Sequence, residues 1–381
     1  MAISPEEAAE QINMLRESAA DFVRRGADMK GLRERRGQLP GYDAAMLRHI
    51  VELGWFGILV PEQQGGLGLG FAEMSVVLQE LGKGLMAEPV LPALFAGRVI
   101  QHASNEALKE RLLPALADGS ALPAVGWQEG LGGLDARAIE ARAQPAASGV
   151  VLSGRKRFVA GAAGAAGFVV SANAPDGYGV YWVDAKAPGL SVQYEWRADE
   201  TPSGVLELKE VPVPSRDVLG PGGPRGLAPL ERALDEAAVL ASAEMLGVME
   251  AALQLALGYM RTRVQFGKPI GSFQALQHKA VDLYVQQELT RAVLDDAVRE
   301  LDADVGPQER PKVASRCKAR ASDAGMRIGR EVIQLHGAIG YTDEYDAGLY
   351  LKRAMVLSGW LGNATAHRRR FAELTRGAVT V

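Results

Sequence analysis

Cysteine is almost absent: Cys317 is the only one in 381 residues, which excludes an internal disulfide framework and a cysteine metal cluster. It falls in a helical pattern, where a buried inert thiol is expected rather than a nucleophile, and a reducing compartment fits. Net charge is also small, −4 with both signs interspersed. There is no basic stripe for nucleic acid and no polybasic segment for an anionic membrane. The first 25 residues set Glu6, Glu7, Glu10 and Arg16 among their apolar positions, so they hold neither a signal-peptide core nor an apolar run of about 18 residues. The expected location is cytoplasmic. Internal repeats and low-complexity tracts are missing as well, although 160–167 is rich in Ala and Gly. What is present is 48% hydrophobic and 23% charged, the composition of a folded soluble protein with room for two or three domains. Small molecules and other proteins are the expected partners.

The texture of the chain changes twice. Up to Leu122 apolar residues recur at helical spacing, as in Ala45, Met46, Ile50, Val51 and Leu53, which predicts a helical domain over 1–122. Short β-branched or aromatic runs between turn residues follow at 149–154, 168–171, 178–183 and 204–208. They predict a small antiparallel β domain over 123–228. Beyond the linker Gly220-Pro221-Gly222-Gly223-Pro224-Arg225-Gly226, four long helical patterns, about 229–262, 272–304, 311–336 and 346–375, predict a four-helix bundle over 229–381. The apolar faces of its first helix, with Val239, Leu240, Leu246, Val248, Met249 and Leu253, look too broad for internal packing alone, and oligomerisation through this domain is expected.

Three stretches resemble the acyl-CoA dehydrogenase family and fall where the domain order places them. Leu53 to Glu62, continuing to Gly65-Gly66-Leu67-Gly68, looks like a structural segment of its first domain, with glycines for tight chain approach. Arg263-Val264-Gln265-Phe266-Gly267-Lys268-Pro269-Ile270, with Phe273-Gln274, resembles the turn that binds the pyrophosphate and adenosine half of an FAD held by another protomer. A guanidinium fork suits a diphosphate, since it stays ionised and gives two charge-assisted hydrogen bonds. Gln334-Leu335-His336-Gly337-Ala338-Ile339-Gly340 resembles the loop whose amide side chain and bare backbone reach the same ADP group. His336 is read as a packing residue. The resemblance implies an α+β fold of helical domain, β domain and four-helix bundle. It also implies FAD, an acyl-CoA substrate, α,β-dehydrogenation, and an electron-transfer flavoprotein as acceptor.

The chemistry the resemblance implies needs a carboxylate to take the α proton. Counting from Leu351-Lys352-Arg353, its usual position is Gly362, in a run without a carboxylate, Ser358 to Asn363. A minority of family members place it in the first bundle helix, and counting back from Arg263 that position is Ala237. Its neighbour Glu236 is a reserve base. A one-residue step turns a side chain about 100° around a helix, and the plainer reading of Glu236 is a solvated charge near the helix N-terminus. The flavin end is altered too: Gln128 stands where the family has a hydroxyl, Leu134 replaces a serine in the run Gln128 to Asp135, and Phe158-Val159-Ala160 lacks the strand's threonine. Phe158 can still stack on a flavin and Gln128 can offer its amide.

Residues that complete a neighbour's FAD site are kept, and those that hold a chain's own flavin are changed. Some bacterial members, acting on steroid side chains or on dicarboxylyl-CoA thioesters such as pimeloyl-CoA, pair two unlike chains. This sequence resembles the chain without the base. The expectation is therefore an α2β2 acyl-CoA dehydrogenase in which this subunit completes a homologous partner's site through Arg263, Gln265, Phe266, Gln334, Gly337 and Ala338. The alternatives are a homo-oligomeric flavoenzyme with another base or reaction, and a non-enzymatic decayed paralogue.

Overall fold

The computed structural model describes residues 5–131, 133–220 and 222–376, so Gly132 of the flavin-end run and Pro221 of the linker lie outside the described residues. The chain runs from helices through a sheet into a helical bundle. Packing groups it into two compact units, residues 32–70 with 87–237, and residues 1–31 with 71–86 and 238–381. The helices of the first domain therefore divide between the units.

In the unit of 32–70 and 87–237, helices α3 (Ala44–Glu52), α5 (Val90–His102) and α6 (Glu106–Ala117) accompany the sheet. Asp43 caps α3 by accepting from the Ala45 and Met46 amides at 2.7 and 3.2 Å, and these bonds hold its carboxyl below the usual range. The Leu53–Gly68 segment is structural, as expected. It turns through two 3₁₀ pieces, and a side chain on Gly66 would lie 2.1 Å from the Val60 carbonyl oxygen.

The sheet comprises β1 (Pro123–Gly126), β2 (Arg142–Ala146), β3 (Gly149–Ala160), β4 (Gly167–Ala174), β5 (Gly177–Asp184), β6 (Leu190–Trp196) and β7 (Pro202–Pro214), in the order β1-β4-β2-β3-β7-β6 with β5 on β4. It is not wholly antiparallel: β1, and the start of β2, run parallel to β4. No hairpin ties these pairs, so their direction is not dictated by a short turn. The β3–β7 ladder carries two bulges. The second contains Arg157 and Phe158, and Phe158 takes the left-handed φ of 58° there.

The other unit holds α1 (Pro5–Gly26), α4 (Phe71–Lys83), α7 (Ala228–Thr262) from residue 238 onward, the hairpin β8 (Val264–Gln265) and β9 (Lys268–Pro269), α8 (Gln274–Asp302), α9 (Arg310–His336), α10 (Ala347–Gly359) and α11 (Ala364–Arg376), while the short α2 (Met29–Glu34) straddles the division. Two glycines let α4 and α7 touch backbone to backbone: a side chain on Gly82 would sit 2.3 Å from the Glu244 carbonyl oxygen, and one on Gly247 only 1.8 Å from that of Gln79. Ion pairs flank this crossing, Glu250 with Lys83 at 3.1 Å and with Arg291 at 2.6 Å. The most apolar 18-residue window of α7 passes a membrane-span test on length and composition, but 78% of it is buried inside the protein, which marks a core helix.

Two sequence expectations change. The fourth bundle helix is two helices, α10 and α11, because Leu361 and Gly362 take φ of 57° and 94° between them. The apolar residues of α7 that looked too broad for internal packing, Val239, Leu240, Leu246, Val248, Met249 and Leu253, are buried within the chain. Exposed apolar side chains instead line α8, at Val281, Tyr284, Val285 and Leu289.

Candidate functional site

The residues read as ADP contacts emerge at one end of the bundle unit. Tyr259, one turn before the end of α7, lies 4.7 Å from the His336 ring at the end of α9, and Tyr345 closes on the same ring at 4.7 Å. This cluster, with His336 buried and both tyrosines half-buried, sets the two helix ends side by side, so the 263–270 turn and the 334–341 loop leave the unit together. His336 is the packing residue expected. Its Nδ1 lies 2.7 Å from the Val332 carbonyl oxygen, and burial pushes its pKa down.

The turn itself is a tight hairpin, with the Ile270 amide donating to Arg263 O at 2.8 Å. Phe266 stands at its tip with φ 53° and 91% of its surface exposed, edge-on to Phe273. Arg263, Gln265 and Gln334 are exposed, and among the described residues their side chains make no hydrogen bond or ion pair. Gly337 and Ala338 are exposed in the 3₁₀ turn after α9. A fork, two amides, bare backbone and an uncovered ring are therefore presented outward together, a donor set that fits a diphosphate and an adenosine.

The flavin-end residues lie in the other unit. Gln128 O accepts from the Arg157 amide at 2.8 Å, while its side-chain amide donates to Gly133 O at 3.4 Å. Phe158 is half-buried, with the Arg157 guanidinium 4.9 Å from its ring centre. The neighbouring Glu129 is fixed: the fully buried Lys156 donates to it, and it accepts the Glu140 and Ala141 amides. Burial lowers the Lys156 pKa to about 8 against the pull of Glu129. Ala160 offers no hydroxyl, as the sequence indicated. The sequence reading missed that Ser203, its direct cross-strand partner, has a buried hydroxyl with no hydrogen-bond partner among the described residues. Directly paired residues share a face of a sheet, so a hydroxyl stands one strand away from the one that is lost.

Neither expected base position holds a carboxylate. Gly362 sits in the α10–α11 break, which two buried groups absent from the sequence reading pin in place. Lys318 donates from Nζ to Leu357 O at 2.8 Å, Gly362 O at 3.0 Å and Ser322 Oγ at 3.0 Å. His367 Nε2 donates to Leu361 O at 2.8 Å. With no carboxylate to offset its burial, Lys318 falls to about 7, and burial takes His367 to about 4. Their neighbour Cys317 is buried, with its thiol pushed up to about 12, the inert cysteine expected.

Glu236 fits neither sequence reading. It is 1% exposed and accepts from Arg98 Nε at 2.7 Å, His102 Nε2 at 2.9 Å and Arg232 Nε at 3.0 Å. Burial raises its pKa, but the His102 bond and the Arg98 guanidinium overcome this and hold the carboxyl far below the usual range. Such a carboxylate has little affinity for a proton and is a poor base. Arg98 and His102 lie more than 130 residues away in sequence, and no local pattern announces the cluster.

Helical domain, β domain and bundle, with an outward-facing diphosphate-type donor set, define the architecture of an acyl-CoA dehydrogenase. The family's N-terminal domain matches residues 9–120 and its C-terminal domain residues 224–374, and the chain belongs to the acyl-CoA dehydrogenase family. It is 31% identical to the acyl-CoA dehydrogenase IpdE2 of Mycobacterium tuberculosis, with 91% of each chain covered. Among solved structures, a variant of the Tcur3481-Tcur3483 steroid ACAD superposes with a TM-score of 0.89 and 33% identity, covering 98% of this chain and 99% of that one. The ChsE4-ChsE5 complex of M. tuberculosis gives 0.88 and 25%, covering 98% of both. Members of the family are FAD-dependent oxidoreductases of acyl-CoA metabolism.

Proposed function

We propose that this chain is the base-lacking subunit of an α2β2 acyl-CoA dehydrogenase, in which it completes the FAD site of a homologous partner chain. One observation carries the reading: Arg263, Gln265 and Gln334 are exposed with no side-chain partner among the described residues, beside an almost wholly exposed Phe266. Arg263 would take the diphosphate, Gln265 and Gln334 would bond the adenosine side, Phe266 would cover it, and Gly337 and Ala338 would let the backbone approach. Bound FAD supplies the hydride acceptor for the β carbon of an acyl-CoA thioester. The α proton goes to a carboxylate of the partner, because Gly362 and Ala237 hold none here and Glu236 is locked in ion pairs. The two-chain names of the steroid ACAD and of the ChsE4-ChsE5 complex support a paired assembly. An electron-transfer flavoprotein is the acceptor the family implies.

The chain is to be purified alone and after co-expression with a base-bearing homologue, and FAD counted by absorbance after denaturation. No flavin alone and about one FAD per pair is the expected result; near one FAD per chain alone overturns it. A homo-oligomeric flavoenzyme is favoured by one observation, the free hydroxyl of Ser203 on the face that Ala160 leaves bare. The same count decides between the two.

A further inference from the structure

The cluster that disqualifies Glu236 as a base leaves a second group poised. Glu236 is an ionised carboxylate and can only accept, so the ring nitrogen 2.9 Å from both of its oxygens, His102 Nε2, carries the hydrogen, while Arg98 Nη2, 3.2 Å from that nitrogen, donates to Glu236 Oε1 at 3.2 Å instead. Arg98 and Arg232 hold the carboxylate from two further directions, and α5 and α7 thereby fix the ring. Burial keeps the imidazole neutral by lowering its pKa, outweighing the pull of Glu236. The other nitrogen, Nδ1, then presents a lone pair. Among the described residues it has no hydrogen-bond partner, and it is not one of the sealed, unpartnered polar atoms. The ring lines a cavity of about 500 Å³, together with Ser104, Pro229, Gly220 and the loop Gly222–Gly226.

The cavity wall narrows the chemistry of its occupant. Gly220, Gly222, Gly223 and Gly226 leave part of it as bare backbone, which lets a compact body approach closely. The Asp176 carboxylate packs against Gly222, and the Nδ1 lone pair also disfavours an anion. Arg225, in the lining, and Arg98 and Arg232, behind His102, disfavour a cation. A neutral hydrogen-bond donor remains. We infer that this cavity is a binding site for a neutral, hydroxyl-bearing small molecule, whose O–H donates to Nδ1 of a His102 oriented by Glu236.

The test uses the full-length chain and two probes of matched shape, cyclohexanol and cyclohexyl methyl ether, followed by nitrogen-15 NMR of the histidine rings. Before any probe, His102 should be the neutral tautomer with hydrogen on Nε2; hydrogen on Nδ1 overturns the inference. Cyclohexanol should then shift the Nδ1 resonance saturably, and the ether should bind roughly three- to tenfold more weakly, the worth of one neutral hydrogen bond. Equal binding of both probes, or no saturable shift, also overturns it. His102→Phe, which keeps the ring but removes the acceptor, should erase the preference for cyclohexanol. Because the tautomer is read in the unaltered chain, the inference stays testable if this variant folds poorly.

Discussion

At the scale of single residues, the proposed ADP-side contacts and the reserve base Glu236 lie at opposite extremes of burial. Arg263 is exposed and unpartnered among the described residues, so Arg263→Ala should leave the stability of the isolated chain unchanged. In the co-expressed complex it should weaken FAD by about ten- to hundredfold, the range of a charge-assisted hydrogen bond of about 1.5–3 kcal/mol; fluorescence titration of the FAD-stripped complex measures this. Glu236 is the opposite case. Glu236→Gln leaves Arg98 and Arg232 facing a neutral group in a buried site, and should destabilise the fold by about 3 kcal/mol in urea denaturation. A catalytic base would instead lose turnover at unchanged stability. The pH dependence has a definite sign. The folded pKa of Glu236 is depressed, so its contribution is present above the unfolded value of about 4.3 and is lost progressively as pH falls below it.

At the scale of elements, the break between α10 and α11 depends on Lys318, and that dependence can be read in alkali. The folded pKa of Lys318 is lowered to about 7, while an unfolded lysine titrates near about 10.4. Between these values the unfolded chain binds the extra proton, so stability rises with pH by up to about 1.4 kcal/mol per unit. Lys156, lowered to about 8, adds the same sign from pH 8 upward. Lys318→Met should therefore abolish the rise between pH 7 and 8 and reduce the slope above it, as measured by urea denaturation across that range. An unaltered pH profile would place the Lys318 ammonium in contact with water. The break also shows what the sequence could not yield. Helical spacing located α7, α8 and α9 to within a few residues, because periodic apolar burial is a local pattern. Residues 346–375 carry the same periodicity, and nothing local says that Leu361 adopts a left-handed φ or that Lys318, 44 residues before Gly362, holds the turn. The strands β1 and β2 went unread because each is short and neither alternates; β6, Leu190–Trp196, alternates apolar and polar residues throughout, so its signal was present and was missed. The residues proposed for the ADP side could be named from sequence since they form two continuous motifs; the Arg98–His102–Glu236 cluster could not, being made only by tertiary packing.

At the scale of the whole molecule, the question is what covers the apolar surface left over. The sequence placed that surface on α7, where the fold buries it. It lies instead on α8, where Val281, Tyr284, Val285 and Leu289 are exposed at intervals of three and four residues along one face. A stripe of this kind, on a chain proposed to hold only half of a cofactor site, is the natural place for a second chain to pack. Val285→Glu with Leu289→Glu changes two exposed side chains and should leave the isolated chain folded, with its denaturation midpoint within about 0.5 kcal/mol of the original. In co-expression the same pair should prevent recovery of the partner on size-exclusion chromatography. FAD should then be lost from the assembly while Arg263, Gln265, Phe266 and Gln334 are all still in place, because a half-site holds cofactor only when the other half is docked against it. If the complex forms and keeps its FAD, α8 is not the contact between the chains, and the paired assembly must be built on another face.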